Sequence, residues 1–242
     1  MPSDMLGATV DGSSTPASSA SVAPESLKGE TTVEEPDRAG RAIARRSAEI
    51  RATVPDLELS VEADAEALLA RAEAAVCATT ALLIAACASA LRAFPRVNGA
   101  YRDGRYELYS RVNVGVVIAT AQTPVSATVL DADAKSVAEL DEEVARLAAR
   151  ARAGALTPPE QAGATFTLDD LGEYGIHRAA GLVRPSQAAI LTAGAIRALP
   201  VLRDGAVVAG HQLTLTLACD HRIVFGAQAA AFLRRVTELV EG

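Results

Sequence analysis

The residue best equipped for chemistry in this 242-residue chain is His221. It follows a run in which Leu213, Leu215 and Leu217 alternate with Thr214, Thr216 and Ala218, the two-residue period of a strand with one face buried. Asp220, His221 and Arg222 come directly after that run, and a helical pattern begins just past Gly226. An imidazole at the end of a strand, ahead of a glycine and a helix, is well placed to take a proton, because its ordinary pKa lies near neutrality. His221 is one of three histidines. A lone histidine is more often a solvated or core side chain, so the elements around it have to decide. Cys77, Cys87 and Cys219 form an odd set without CxxC spacing. They indicate neither a disulfide framework nor a zinc site, no metal is expected, and a reducing, cytoplasmic setting fits best.

Composition narrows the classes. Half of the residues are apolar, yet aromatics are only 3% and Trp is absent, so Ala, Leu and Val build the core and stacking platforms for nucleic acid are scarce. The net charge of -7 argues against a broad nucleic-acid or anionic-membrane surface. Residues 74–91 carry no charge and approach spanning length, but they are Ala-rich, contain Thr79, Thr80 and Ser89, and lie between charged amphipathic segments. They read as a buried helix, with no membrane span. Residues 1–36 are rich in Ser, Thr, Ala, Gly and Pro and read as a disordered tail. Residues 37–242 read as one folded domain.

The elements that must position His221 alternate along that domain. A basic helix holding Arg41, Arg45 and Arg46 ends before Pro55, and Leu57, Leu59, Val61 and Ala63 then alternate as a strand. A helical stretch through Leu68, Leu69 and Ala72 runs into the long apolar helix ending at Phe94. Asp103-Gly104 and Asp204-Gly205 signal hairpins, and the β-branched runs 112–119 and 125–130 read as strands. Ser136 and Glu139 form a capping box for a helix with Leu140, Val144 and Leu147 on one face. Thr157 and Glu160 repeat that logic. Strands follow at 165–168 and 188–196, and a terminal helix presents Ala229, Phe232, Leu233, Val236, Leu239 and Val240. An α/β domain is predicted, a mixed sheet with helices on one side.

Several of these segments, in register, resemble the catalytic domain of the 2-oxoacid dehydrogenase acyltransferases, which shares its fold with chloramphenicol acetyltransferase. The matching stretches are residues 41–47, 97–101, 111–120, 129–136, 151–156, 166–172, 174–176, 185–191 and finally 220–222. The resemblance implies a homotrimer of α/β subunits, a mixed sheet flanked by helices, with active sites at subunit interfaces. There an acyl group passes from a thioester, acetyl-CoA or a carrier-protein thioester, to an acceptor. His221 matches the family's general base. An oxyanion donor, usually a serine hydroxyl, must face it.

Two positions depart from the pattern. Where the family has Ser in Phe-Thr-Ile-Ser-Asn-Leu-Gly, this chain has Asp169. An ionised carboxylate only accepts hydrogen bonds, so Asp169 helps an oxyanion only when protonated; otherwise it orients His221 or holds a substrate hydroxyl. Nearby Thr165 and Thr167 are hydroxyls with strand alternation as their only claim. The polar residue four places after the family's histidine is here Phe225, which implies repacking of that loop. Neither a lipoyl domain nor an apolar C-terminal tail is recognised in the sequence, so a freestanding trimer is expected, resembling the acyltransferases that acetylate the exocyclic hydroxyl of tetronate intermediates in polyketide pathways. A small-molecule hydroxyl acceptor and, as donor partner, an acyl carrier protein follow from that resemblance. Two other readings stay open: a catalytically impaired trimeric scaffold in which Asp169 and Phe225 record lost chemistry, and a ligand-binding homologue without turnover.

Overall fold

A computed structural model of the protein describes residues 29–121 and 123–242. The chain divides into two units, Met1–Pro36 and Asp37–Gly242. Of the first, residues 29–36 are exposed and adopt neither helix nor strand; the disorder predicted for the preceding residues lies outside the described ones. The second unit opens with α1 (Arg38–Thr53), where the Asp37 side chain accepts the Gly40 N–H at 2.7 Å and satisfies one of the helix's orphan donors.

The mixed sheet forms around β9 (Ala206–Asp220), a 15-residue strand. It pairs antiparallel with β1 (Asp56–Asp64), with β7 (Ala189–Ala193) and, along its first half, with β8 (Arg197–Arg203). Beyond β7 the order continues through β6 (Phe166–Asp170) and β4 (Val114–Ile118) to β5 (Val125–Val129). The β4–β6 and β6–β7 pairs are parallel. A separate hairpin, β2 (Gly99–Arg102) and β3 (Arg105–Leu108), turns at Asp103-Gly104, both with positive φ as the tight two-residue turn demands.

Strand alternation sends Leu213, Leu215, Leu217 and Cys219 to the main core with Phe166 and Leu168. There they meet α2 (Glu66–Ala75), α3 (Thr79–Ala93), α4 (Val137–Arg152) and α5 (Gly226–Glu241). Phe94 and Phe166 each pack edge-on to Phe232 with centroids 5.7 Å apart. Three of the four phenylalanines are thereby spent on the core, which leaves Phe225 outside it.

Four details differ from the sequence expectation. Helices do not lie on one side only: Ile50 of α1 and Val54 just past its end pack with Val183 on Ile190 and Ala218, covering the second face of the sheet. The segment that passes there is pressed onto the sheet at Gly194, where a Cβ would stand 2.0 Å from the His177 carbonyl oxygen. Second, the uncharged stretch 74–91 is not one helix. α2 and α3 meet at 113°, with Val76 in the left-handed region (φ 51°) and the Ala78 N–H held by Asp141 Oδ1 at 2.9 Å. Among the described residues no single helix is long and apolar enough to cross a membrane. Third, the residues read as a hairpin arm and a separate strand are one strand, β9. Fourth, Thr157 gives its N–H and hydroxyl to Glu160 at 2.8 and 2.9 Å, yet these contacts close only a 3₁₀ turn at Pro159–Gln161. Arg146 and Arg150 also bind Glu160, and with the Thr157 N–H as the largest cause its carboxyl is pulled down to about 2.

Candidate functional site

His221 sits where β9 ends, and the backbone there is fixed on both sides. Before it, the buried Asp220 carboxylate is clasped by Arg222 through the backbone N–H at 2.9 Å, Nε at 2.9 Å and a terminal nitrogen at 2.7 Å. A buried carboxylate requires such a partner, because lost hydration must be replaced. The Asp220 N–H donates to the Ala188 carbonyl at 2.8 Å and the His221 N–H to that of Pro55 at 2.9 Å. After it, Ile223 and Val224 are fully buried. His221 itself is exposed.

The imidazole meets Phe225 edge to face, with centroids 5.7 Å apart at 73°. The Arg96 guanidinium lies over the Phe225 ring at 5.9 Å and over the Tyr106 ring at 4.9 Å, while Arg222 covers Tyr101 at 4.6 Å. Among the described residues no hydrogen bond reaches the His221 ring. The repacking expected at Phe225 is thus a stack of Tyr106, Arg96, Phe225 and His221, whose cation–π contacts contribute about 0.5–1 kcal/mol each at an exposed site.

Asp169 lies near the C-terminal end of β6, on the face covered by α1. Its register partner is Thr192 of β7, which pairs with Thr216 of β9, and Thr216 in turn pairs with Ser60 of β1, a polar row across the sheet. The Ser60 and Thr216 hydroxyls are 3.0 Å apart. That of Thr192 is buried with no hydrogen-bond partner among the described residues. Asp169 is half-buried at the wall of a cavity of about 560 Å³ together with Arg46, Ile50, Val117, Arg184 and Ile190. Burial, and then the neighbouring Asp170 carboxylate, push its pKa above the ordinary value, while Arg184 pulls the other way. Asp170 points to the opposite face, where it accepts from the Thr80 hydroxyl at 2.6 Å and the Gly172 N–H at 3.0 Å. Thr167 and Thr165 are already engaged, by Gln187 Oε1 at 2.7 Å and by the Asn113 backbone at 3.1 Å.

His221 and Asp169 do not meet within one chain. Asp169 is level with Thr216, four residues before Asp220 along β9, which is about 13 Å of strand. Two strand spacings across the sheet add about 10 Å sideways. A site using both residues therefore needs two copies of the chain. Sequence reading found these two residues but missed Arg96, Tyr106, Arg184 and Thr192, none of which lies at a motif position that announces a role.

Residues 28–242 match the family described as 2-oxoacid dehydrogenases acyltransferase (catalytic domain). The dihydrolipoyllysine-residue acetyltransferase component of the pyruvate dehydrogenase complex of Zymomonas mobilis is 34% identical over 210 residues, 83% of this chain and 48% of that protein. The corresponding component of Rickettsia bellii is 30% identical over 211 residues, with 83% and 50% covered. The chain thus spans about half the length of the curated relatives it matches. Among solved structures, a probable dihydrolipoamide acetyltransferase from Listeria monocytogenes superposes with a TM-score of 0.83 at 28% identity, covering 88% of this chain and 95% of that one. The dihydrolipoamide acetyltransferase of Azotobacter vinelandii gives 0.84 at 27%, covering 90% and 94%. In that protein a serine, a histidine and an asparagine were investigated for their role in the catalytic mechanism. When its histidine is laid on His221, the sequence spacing puts its serine at Asp169 and its asparagine at Phe225. A chloramphenicol acetyltransferase, with a TM-score of 0.51 at 17% identity, shares the fold alone.

Proposed function

Because this chain belongs to the 2-oxoacid dehydrogenases acyltransferase family, we propose that it moves an acyl group, acetyl foremost, from a CoA or carrier-protein thioester to a small hydroxyl acceptor. The site is completed between two copies of a trimer. The observation that carries this reading is His221: a rigidly held backbone, and an exposed ring to which no described residue makes a hydrogen bond. A tetronate intermediate with an exocyclic hydroxyl is an acceptor of the required kind.

The steps follow from the chemistry of the two side chains. His221 takes the proton of the acceptor hydroxyl as its oxygen bonds to the thioester carbonyl carbon. The carbonyl electron pair moves onto oxygen, and Asp169 of a second copy, in its acid form, donates a hydrogen bond to that oxyanion. Burial and Asp170 favour this acid form. Collapse of the intermediate breaks the carbon–sulfur bond, and the thiolate leaves with the proton that His221 holds. A second reading draws on the nearby Arg184, which favours the ionised form of Asp169. An ionised Asp169 repels the oxyanion, and the chain is then a ligand-binding trimer without turnover.

Incubation of the protein with acetyl-CoA and a panel of alcohols, with free thiol release followed over time, tests the proposal. Release that depends on acceptor and enzyme is expected, from particles that light scattering sizes at three chains. No release from acetyl-CoA or an acetylated carrier with any acceptor refutes the enzyme reading, and a monomer at micromolar concentration refutes the shared site.

A further inference from the structure

The cavity beside Asp169 holds more positive charge than acylation of a neutral acceptor needs. Its walls are largely apolar, with Ile43, Ile50, Val117, Leu182 and Ile190 among them, and its size suits a small organic molecule. Arg46 and Arg184 also line it. Neither guanidinium donates a hydrogen bond or joins an ion pair with any described residue. Arg184 is half-buried, and both its burial and the charge of Arg46 work against its cation; Asp169 is the carboxylate that supports it. Two guanidiniums against one carboxylate leave a surplus of positive charge. Arg46 and Arg184 also border the adjoining, more polar cavity of about 760 Å³. The arginines farther along that cavity, Arg102 and Arg111, are already paired with Glu107 and Asp131. The uncommitted charge is therefore concentrated where the two cavities adjoin.

We propose that this cavity binds the acyl acceptor and selects one that is itself an anion: a small apolar molecule with a carboxylate or ionised enol close to the hydroxyl it presents. The assignment to the acceptor rests on the acyltransfer reading above. A phosphate of the donor fits less well, because the whole pantetheine arm separates that phosphate from the thioester sulfur. Arg184 is near enough to Asp169 for their charges to interact, so an anion held there sits beside the reacting centre. Such an anion also cancels the arginine field that favours ionised Asp169, and acceptor binding thereby promotes the acid form that can donate to an oxyanion.

The test compares 3-hydroxyoctanoate with its methyl ester, first by calorimetry on the intact protein without acetyl-CoA. Charge-assisted contacts predict that the acid binds about 10- to 100-fold more tightly than the ester. Arg184→Met should bring that ratio close to one, and Arg184→Lys, which keeps the charge, should preserve part of it. Equal binding of acid and ester, no binding of either, or a preference that survives Arg184→Met overturns the proposal. A turnover arm then assigns the anion. If Arg184→Met raises KM for acetyl-CoA and not for the acid, the site serves the donor phosphate and the proposal fails. If the acid is preferred in binding but no thiol is released in any reaction, the anion site stands and the acyltransfer reading fails.

Discussion

Replacement of His221 by Ala is expected to lower kcat for acyl transfer by about 10²–10⁴-fold, the span that a positioned general base supplies. Little else should change. The residue is exposed, its backbone N–H bond to Pro55 survives the substitution, and exposed replacements of this kind generally alter stability by about 0.5 kcal/mol or less. The fold around the turn is held by Asp220, Arg222, Ile223 and Val224, none of which the variant touches. The loss should also depend on the acceptor. A hydroxyl is a far weaker acid than a thiol and needs the base more, so a thiol acceptor should lose less than an alcohol under the same substitution. Steady-state thiol release with both acceptors measures this directly, with thermal melting as the control for folding. Equal rates for the variant and the parent protein would remove His221 from the chemistry.

Asp169 should give the second large effect, and its sign depends on the proton. Asp169→Ala removes the donor and is expected to cost about 10²–10³-fold in kcat. Asp169→Asn keeps a donor without a proton to lose and should retain most of the activity, as should Asp169→Ser. If Asp169 is instead ionised in the working enzyme, Asn and Ser should both exceed the parent protein, since they remove a charge that repels the oxyanion. Stability provides an independent reading. Because the folded-state pKa is raised, the native protein holds this proton more tightly than the unfolded chain does. The associated stability is present at low pH and is lost as pH climbs from the ordinary carboxylate value through the raised one. Asp169→Asn should therefore melt above the parent protein near neutrality, and the gain should vanish in acid. Melting curves across that range decide it.

Much of this fold is written in local pattern. The alternation of Leu213, Leu215 and Leu217 fixes which face of β9 is buried, and Asp103-Gly104 and Asp204-Gly205 adopt the positive φ angles their residue types favour. Ser136 and Glu139 close their capping box as their spacing requires. What escaped the sequence depends on partners distant in the chain. The break before α3 is held by Asp141, a residue of α4. The placement of α1 on the far face follows from Val183, Ile190 and Ala218 meeting Ile50. Phe225 reads as a lost polar brace until the fold brings Arg96 onto its ring. Arg184 is unremarkable in sequence and gains meaning only because β6 puts Asp169 near it. The separation of His221 from Asp169 along and across the sheet is likewise invisible until the register is known.

That separation permits a direct test of a site shared between copies. His221→Ala and Asp169→Ala chains, each nearly inactive alone, can be unfolded, mixed in equal amounts and refolded together. In a closed ring each interface takes His221 from one chain and Asp169 from the next, so random mixing restores both residues at about one interface in four. Activity approaching a quarter of the parent protein's is the predicted result. A mixture no more active than its two components would contradict a site built by His221 and Asp169 across the interface.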